Sequence, residues 1–351
     1  MRSPASSPPE ERGLSRDGVR LLAATPDGLA HATFADLGRY LRAGDLLVVN
    51  TSGTIAAAVD GSRGCGHADG QLVTVHFSTP LTESSQDGAT WLVELRQNTA
   101  GRERVLNAKQ GETIALPAGH SLTLLYRYPE SDSDRLWAAS VNQEGNQETS
   151  TVDEYLARYG RPIRYSYVPD PWPLAAYQTV FARDPGSAEM PSAGRPFTGD
   201  LVAGLIARGV SFAPITLHTG VASLEAHELP LPERFSVSEP TAHLINLARQ
   251  DGRRVVALGT TCTRAVESAA GEDGVVKATS GWTDLVLGYG RAARVVNGLI
   301  TGWHDPEASH LALLQAVAGS KLVDVTYAEA EQHGYLWHEF GDSCLLLPPI
   351  G

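Results

Sequence analysis

The chain has 351 residues, of which 42% are hydrophobic and 19% are charged, so it exceeds the usual length of one domain and can fill a sizeable core. Its formal net charge of −12 argues against indiscriminate binding of nucleic acid, although it leaves room for a local basic surface. Three widely separated cysteines offer no disulfide framework, and no apolar run is long enough to cross a bilayer. We therefore expect a cytoplasmic protein without membrane spans.

The pattern of strand and helix signals changes along the chain. Residues 1–13 are rich in proline and serine and predict a flexible tail. In residues 14–60 strand and helix signals alternate, whereas residues 61–147 contain short alternating runs, from QLVTVHF to RLWAASV, separated by Gly, Asp, Ser and Pro clusters. Strand and helix signals alternate again in residues 148–351. The sequence thus predicts an α/β fold of two domains: an α/β domain made from both chain ends and an inserted all-β barrel domain at 61–147.

The segment RRVVALGTTCTRAVESAA predicts a strand that ends at Gly259 and turns directly into a helix. Gly259 permits a ligand to approach the backbone closely, and Thr260 and Thr261 add hydroxyl and N–H groups at the positive end of the helix. Such a junction suits a carboxylate, a phosphate or a ribose hydroxyl. The alternative is structural: Thr261 only caps the helix, and Arg264 and Glu267 form a surface pair one turn apart.

Other polar residues have two readings each. His218 ends the strand-like run PITLHTG, where open α/β sheets place either chemistry or a structural histidine. Arg158, Arg161 and Arg164 alternate with tyrosines in RYGRPIRYSY, a pattern typical of phosphate and base contacts but also of ordinary surface packing. In HDPEASH the histidine spacing does not match a helical metal pair, so we predict no metal site.

Taken in order, several segments resemble one family, the S-adenosylmethionine:tRNA ribosyltransferase-isomerases of queuosine biosynthesis. The resemblance covers nearly the whole chain and includes FADLGRYLRAGDLLVVNTSGTIAAAVDG, YQTVFA, PSAGRPFT, ITLHTG, LGTTCTRAVES, VVNGLITGWHDPEAS and FGDSCLLL. It implies an α/β domain with an inserted β-barrel, in agreement with the texture of the sequence.

The resemblance also implies a reaction. The ribosyl part of S-adenosylmethionine is transferred to the aminomethyl group of a deazaguanine base in tRNA, and adenine and methionine leave. Since the sulfonium acidifies the adjacent C5′ protons, the enzyme needs a base, a proton donor for adenine and a holder for the methionine carboxylate, but no metal.

By this resemblance we expect Glu233 or His218 to act as the base and His304 to donate a proton near adenine. The polar ends of S-adenosylmethionine would be held at the helix start by Gly259, Thr260, Thr261 and Arg264. We expect Tyr177 and Gln178 to form pocket walls, with the Tyr177 ring facing adenine. The tRNA would be contacted by Arg158, Arg161, Arg164 and Arg195.

The chain departs from the family pattern mainly at polar positions. Pro196 stands where the family has a histidine, with Arg195 beside it, and only Glu233 remains of a His-x-Met-His-x-Glu run. Because the glycine and apolar framework persists, we expect a divergent member that keeps the fold and the S-adenosylmethionine pocket. Its acceptor is either a tRNA base or a small molecule; the alternative is a non-catalytic paralogue that binds S-adenosylmethionine or RNA.

Overall fold

The computed structural model describes residues 3–64, 70–81, 89–99, 103–129, 135–143, 151–221, 230–288, 290–304 and 310–349. Within them the strands are β1 (Arg20–Thr25), β2 (Gly28–Thr33), β3 (Leu46–Asn50), β4 (Ser52–Thr54), β5 (Ala58–Arg63), β6 (Gln71–Pro80), β7 (Thr90–Gln97), β8 (Thr113–Leu116), β9 (His120–Tyr128), β10 (Leu136–Gln143), β11 (Asp184–Ser187), β12 (Ser211–Leu217), β13 (Glu233–Val237), β14 (Val255–Leu258), β15 (Thr279–Thr283), β16 (Gly298–Gly302) and β17 (Ser343–Leu346). The helices are α1 (Val152–Tyr159), α2 (Gly199–Ala207), α3 (Glu239–Gln250), α4 (Gly259–Ala269), α5 (His310–Ala318) and α6 (Ser320–Gln332).

Six strands close into a barrel in the order β10, β7, β6, β5, β8, β9. Neighbouring strands are antiparallel, and the interior is filled by apolar side chains such as Val75, Phe77 and Val93. Closure leaves no unpaired strand edge, as expected for a run of short strands without intervening helices. The inserted barrel of the predicted fold class is therefore confirmed, whereas the domain boundaries at 60/61 and 147/148 stay a prediction.

The second part is a nine-stranded mixed sheet in the order β15, β13, β12, β3, β14, β16, β17, β1, β2. Its centre is parallel, with β3 lying between β12 and β14. Every residue of β3 and of β14 is buried, which explains why the runs LLVV and VVAL are continuously apolar rather than alternating. The carboxyl ends of β3, β12 and β14 meet at one edge of the sheet, where open α/β folds place their ligands.

Residues 3–13 contact distant parts of the chain, and these contacts correct the prediction of a flexible tail. Ala5 is buried and its N–H donates to the carbonyl of Trp337 at 2.9 Å. Arg12 donates to the carbonyl of Phe340 at 2.9 Å, and Glu10 pairs with Arg195 at 2.9 Å. The composition of this segment could not reveal these contacts, because its partners lie far away in the sequence.

No helix in the described part of the chain combines the length and the apolar character that a membrane span requires.

Candidate active site

The junction between β14 and α4 requires a glycine. Gly259 has φ +85°, and a Cβ added there would lie 3.0 Å from the Cβ of Ala193. The helix begins at this glycine, with Leu258 as its N-cap and no side chain capping it. Thr261 therefore is not the cap that the structural alternative required; its Oγ1 lies 3.4 Å from Nδ2 of Asn50, at the end of β3.

Arg264 and Glu267 do not form a surface pair either. Both are buried, with 6% and 1% of their surface exposed. The Glu267 carboxylate accepts a backbone N–H from each of three consecutive residues at 2.9 Å, namely Arg294, Val295 and Val296. The carboxylate thus fixes the segment that leads into β16, and α4 presents its polar side chains to the interior instead of to solvent.

Arg264 forms an ion pair with Glu233, which opens β13. The remaining guanidinium donors bind backbone carbonyls at 3.1–3.2 Å, those of Leu231, Thr283 and Leu285. The Gly220 N–H donates to the other Glu233 oxygen at 3.3 Å. Burial raises the pKa of Glu233 above its ordinary value, although Arg264 and the Gly220 N–H oppose this shift.

A cavity of about 740 Å³ lies beside this junction, a size typical of sites for small molecules and cofactors. It is lined by six of the residues that the sequence analysis singled out: Gly259, Thr260, Thr261, Arg264, Glu233 and His304. Ser192 and Ala193, from the segment PSAGRPFT, line it as well. Four distant stretches of sequence therefore converge on one site.

His304 contributes an uncharged imidazole to the cavity. Its Nε2 lies 3.1 Å from Oγ1 of Thr301, and its ring stacks on His310 with centroids 4.5 Å apart. Burial, followed by the nearby His310 and His338, lowers the pKa of His304 well below its ordinary value. The acidic residues of HDPEASH, Asp305 and Glu307, lie outside the described residues.

The sequence analysis missed other lining residues, among them Tyr167, Glu189, His338 and Glu339. His338 Nε2 lies 2.6 Å from the Tyr167 hydroxyl, and His338 has a left-handed backbone with φ +79°. Burial, followed by Glu189, raises the pKa of Glu339 to about 8, while Arg195 opposes the shift. No local motif marks these residues, because the cavity forms only when the turn after α6 meets the segment around Tyr167.

Three predicted residues lie outside the cavity. His218 Nδ1 is 2.8 Å from the Ser52 hydroxyl, and burial lowers the pKa of this histidine. Tyr177 is buried against Phe340, with ring centroids 5.2 Å apart, and the Gln178 amide is bound to the backbone of Thr54 at 2.8 and 3.0 Å. The structure therefore corrects the expectation that Tyr177 and Gln178 form walls of this cavity.

The four arginines expected to contact tRNA differ in their accessibility. Arg195 has 2% of its surface exposed and binds Glu10 and the Ala176 carbonyl, so its expected contact with tRNA is wrong. Arg158 is exposed, with its guanidinium 5.4 Å from the Tyr159 ring centroid. The other two make local contacts: Arg161 with Asp60 at 2.6 Å, and Arg164 with the Pro169 carbonyl.

In the described part of the chain, one group of side chains is close enough to hold a metal ion. His31, Glu329 and His333 place their ligand atoms within 4.8 Å of one another, and none of the three lines the cavity. That the reaction needs no metal stays a prediction.

Comparison with known proteins identifies the family. Residues 2–346 match the model of the family described as queuosine biosynthesis protein. The S-adenosylmethionine:tRNA ribosyltransferase-isomerase of Acidiphilium cryptum is 34% identical over 97% of this chain and 96% of its own length. That of Moorella thermoacetica is also 34% identical, over 95% and 94%. A crystal structure of an S-adenosylmethionine tRNA ribosyltransferase from Thermotoga maritima matches at 24% identity with a TM-score of 0.49, over 99% of this chain and 96% of that one. The resemblance seen in the sequence is confirmed, and the chain belongs to the queuosine biosynthesis protein family.

Proposed function

We propose that the protein transfers and isomerises the ribosyl part of S-adenosylmethionine onto a deazaguanine base in tRNA, with release of adenine and methionine. The observation that carries this proposal is the cavity at the β14–α4 junction, where a glycine, two threonines, a buried Arg264–Glu233 pair and an uncharged His304 meet. The names of its relatives support the same reaction.

The junction is suited to the polar ends of S-adenosylmethionine. The first turn of α4 leaves backbone N–H groups without helical partners, and these groups favour negatively charged or polar ligand atoms. Thr260 and Thr261 are half-buried at the cavity wall and add their side-chain hydroxyls. We assign the methionine carboxylate or the ribose hydroxyls to this end, because Gly259 lets the ligand come close to the backbone.

Two groups that line the cavity serve the reaction, one as a base and one as a hydrogen-bond donor. S-adenosylmethionine supplies a sulfonium that acidifies its own C5′ protons. Glu233 is the base in this proposal, since burial raises its pKa and thereby its proton affinity, while Arg264 keeps the carboxylate in place. The lowered pKa of His304 keeps its imidazole neutral, so in this proposal it donates a hydrogen bond to the leaving adenine, and the proton that adenine takes up comes from solvent. His218 is left out of this assignment because it lies outside the cavity.

We assign tRNA as the acceptor. This choice is made over a small-molecule acceptor and over a non-catalytic paralogue. The relatives are named as enzymes that act on tRNA, and the chain covers almost their full length. Arg158, Arg161 and Arg164 are the remaining candidates for contact with the tRNA backbone. A cytoplasmic location, where tRNA is modified, is part of this proposal.

The test is release of adenine and methionine. The purified protein is incubated with S-adenosylmethionine, with and without tRNA that carries the aminomethyl-deazaguanine base, and the products are identified by mass spectrometry. We expect release only when this tRNA is present, and strong loss in Glu233→Gln but not in Glu272→Gln, a change at an exposed residue outside the cavity. Release without tRNA, or none at all, would contradict the proposal.

A further inference from the structure

The turn after α6 brings two polar side chains with unmatched atoms to the cavity. Glu339 and His338 both line it. Oε1 of Glu339 and Nδ1 of His338 are shielded from solvent, yet neither has a hydrogen-bond partner among the described residues. A buried polar atom without a partner costs about 1–3 kcal/mol, so such atoms beside a cavity indicate a ligand that completes their bonding.

The backbone holds these side chains in one arrangement. His338 has φ +79°, a conformation that costs a residue other than glycine roughly 1–3 kcal/mol. Its N–H donates to the Trp303 carbonyl at 3.1 Å, and its carbonyl accepts from the Gly341 N–H at 2.9 Å. The Tyr167 hydroxyl fixes the imidazole from the side at 2.6 Å. These contacts stabilise a strained turn that places Glu339 at the cavity wall.

The charge at this wall favours a cation. Glu189 also lines the cavity, and its carboxylate accepts a hydrogen bond from the Tyr165 hydroxyl. Burial and the nearby Glu189 raise the pKa of Glu339, while the positive charge of Arg195 opposes the shift. Tyr167 lines the same cavity, and its pKa is raised by burial and then by the Glu339 carboxyl group. A positive charge placed here stabilises the deprotonated form of Glu339 beside the Glu189 carboxylate.

We propose that Glu339, together with Glu189, binds a primary ammonium group of a substrate. This inference rests on the proposed function, whose two substrates each carry such a group: the amino-acid ammonium of S-adenosylmethionine and the protonated aminomethyl group of the deazaguanine base. On binding, Glu339 gives its proton to solvent, and its carboxylate accepts hydrogen bonds from the ammonium. Glu339 acts here as a binding residue for the substrate's charge.

Non-reacting ligands that differ by one amine test the proposal by calorimetry. One pair is S-adenosylhomocysteine and its deamino analogue, 5′-S-(3-carboxypropyl)-5′-thioadenosine; the other is the free aminomethyl-deazaguanine base and its methyl analogue. In Glu339→Gln we expect one amine-bearing ligand to bind about tenfold more weakly, with its amine-free partner unchanged and with Glu272→Gln equal to wild type. The affected pair identifies the source of the ammonium.

Proton release provides a second readout that needs no variant. Binding of the amine-bearing ligand to the wild type at pH 7 should release about one proton, measured in two buffers of different ionisation enthalpy. The proposal is overturned if Glu339→Gln weakens neither pair, or if the wild type binds neither amine-bearing ligand. Since no ligand reacts, failure here is distinct from failure to release adenine, which would refute only the proposed function.

Discussion

Replacing Glu267 by alanine should lower the free energy of unfolding more than the same replacement at any exposed glutamate does. Its carboxylate is 1% exposed and accepts three backbone N–H groups at 2.9 Å. In Glu267→Ala all three donors lose their partner, at about 1–3 kcal/mol each, which gives roughly 3–9 kcal/mol before the segment relaxes. Because water can enter and bind some of these donors, we expect the free energy of unfolding to fall by about 4 kcal/mol and Tm to fall by about 10 °C.

Glu267→Gln gives an intermediate case that sharpens the test. One amide oxygen can still accept from Val295 and Val296, whereas the amide NH2 then faces the Arg294 N–H. We expect Glu267→Gln to lower the free energy of unfolding by roughly half as much as Glu267→Ala does, measured by thermal and urea unfolding. Glu272→Ala is the matched control, since Glu272 is exposed. A Tm of Glu267→Ala within about 2 °C of that control would refute the reasoning.

Three further predictions concern the cavity and the candidate tRNA surface. The double change Thr260→Ala, Thr261→Ala should weaken S-adenosylmethionine binding about tenfold by calorimetry, and an unchanged Kd would remove both hydroxyls from the site. Because the pKa of Glu339 is raised to about 8, its contribution to stability is fully present below about pH 4.5 and is lost as the pH rises towards 8. Glu339→Gln should therefore flatten the fall of Tm over this range, and an identical profile would contradict the assignment. Arg161→Ala removes an exposed pair with Asp60, worth less than about 1 kcal/mol, so Tm should hardly move while KM for tRNA rises several-fold; an unchanged KM would exclude Arg161 from the tRNA surface.

The fold was predictable because its signals are local. The alternating runs of the barrel, the continuous apolar runs of β3 and β14, and the helix-spaced segment of α3 are each visible within a dozen or so residues. The glycine at the β14–α4 junction was also recognisable, since a strand that turns directly into a helix needs a residue such as Gly259 at φ +85°. These features depend on neighbours in sequence.

The site was only partly predictable because its partners are distant in sequence. Nothing near Glu267 indicates that it binds the backbone of residues 294–296 instead of pairing with Arg264. The sequence around Arg195 predicts an unpaired cation, whereas in the structure Arg195 forms an ion pair with Glu10. Likewise, the candidate role of His338 and Glu339 depends on the cavity they line, which the sequence around them does not indicate. Burial of polar groups is a tertiary property, and a single sequence carries no direct record of it.

A crystal structure with bound S-adenosylhomocysteine tests the central claim most directly. The account predicts that the nucleoside lies in the 740 Å³ cavity, with a polar end at the first turn of α4 and within hydrogen-bond distance of Thr260 or Thr261. Ligand bound elsewhere, with this cavity empty at a saturating concentration, would contradict it.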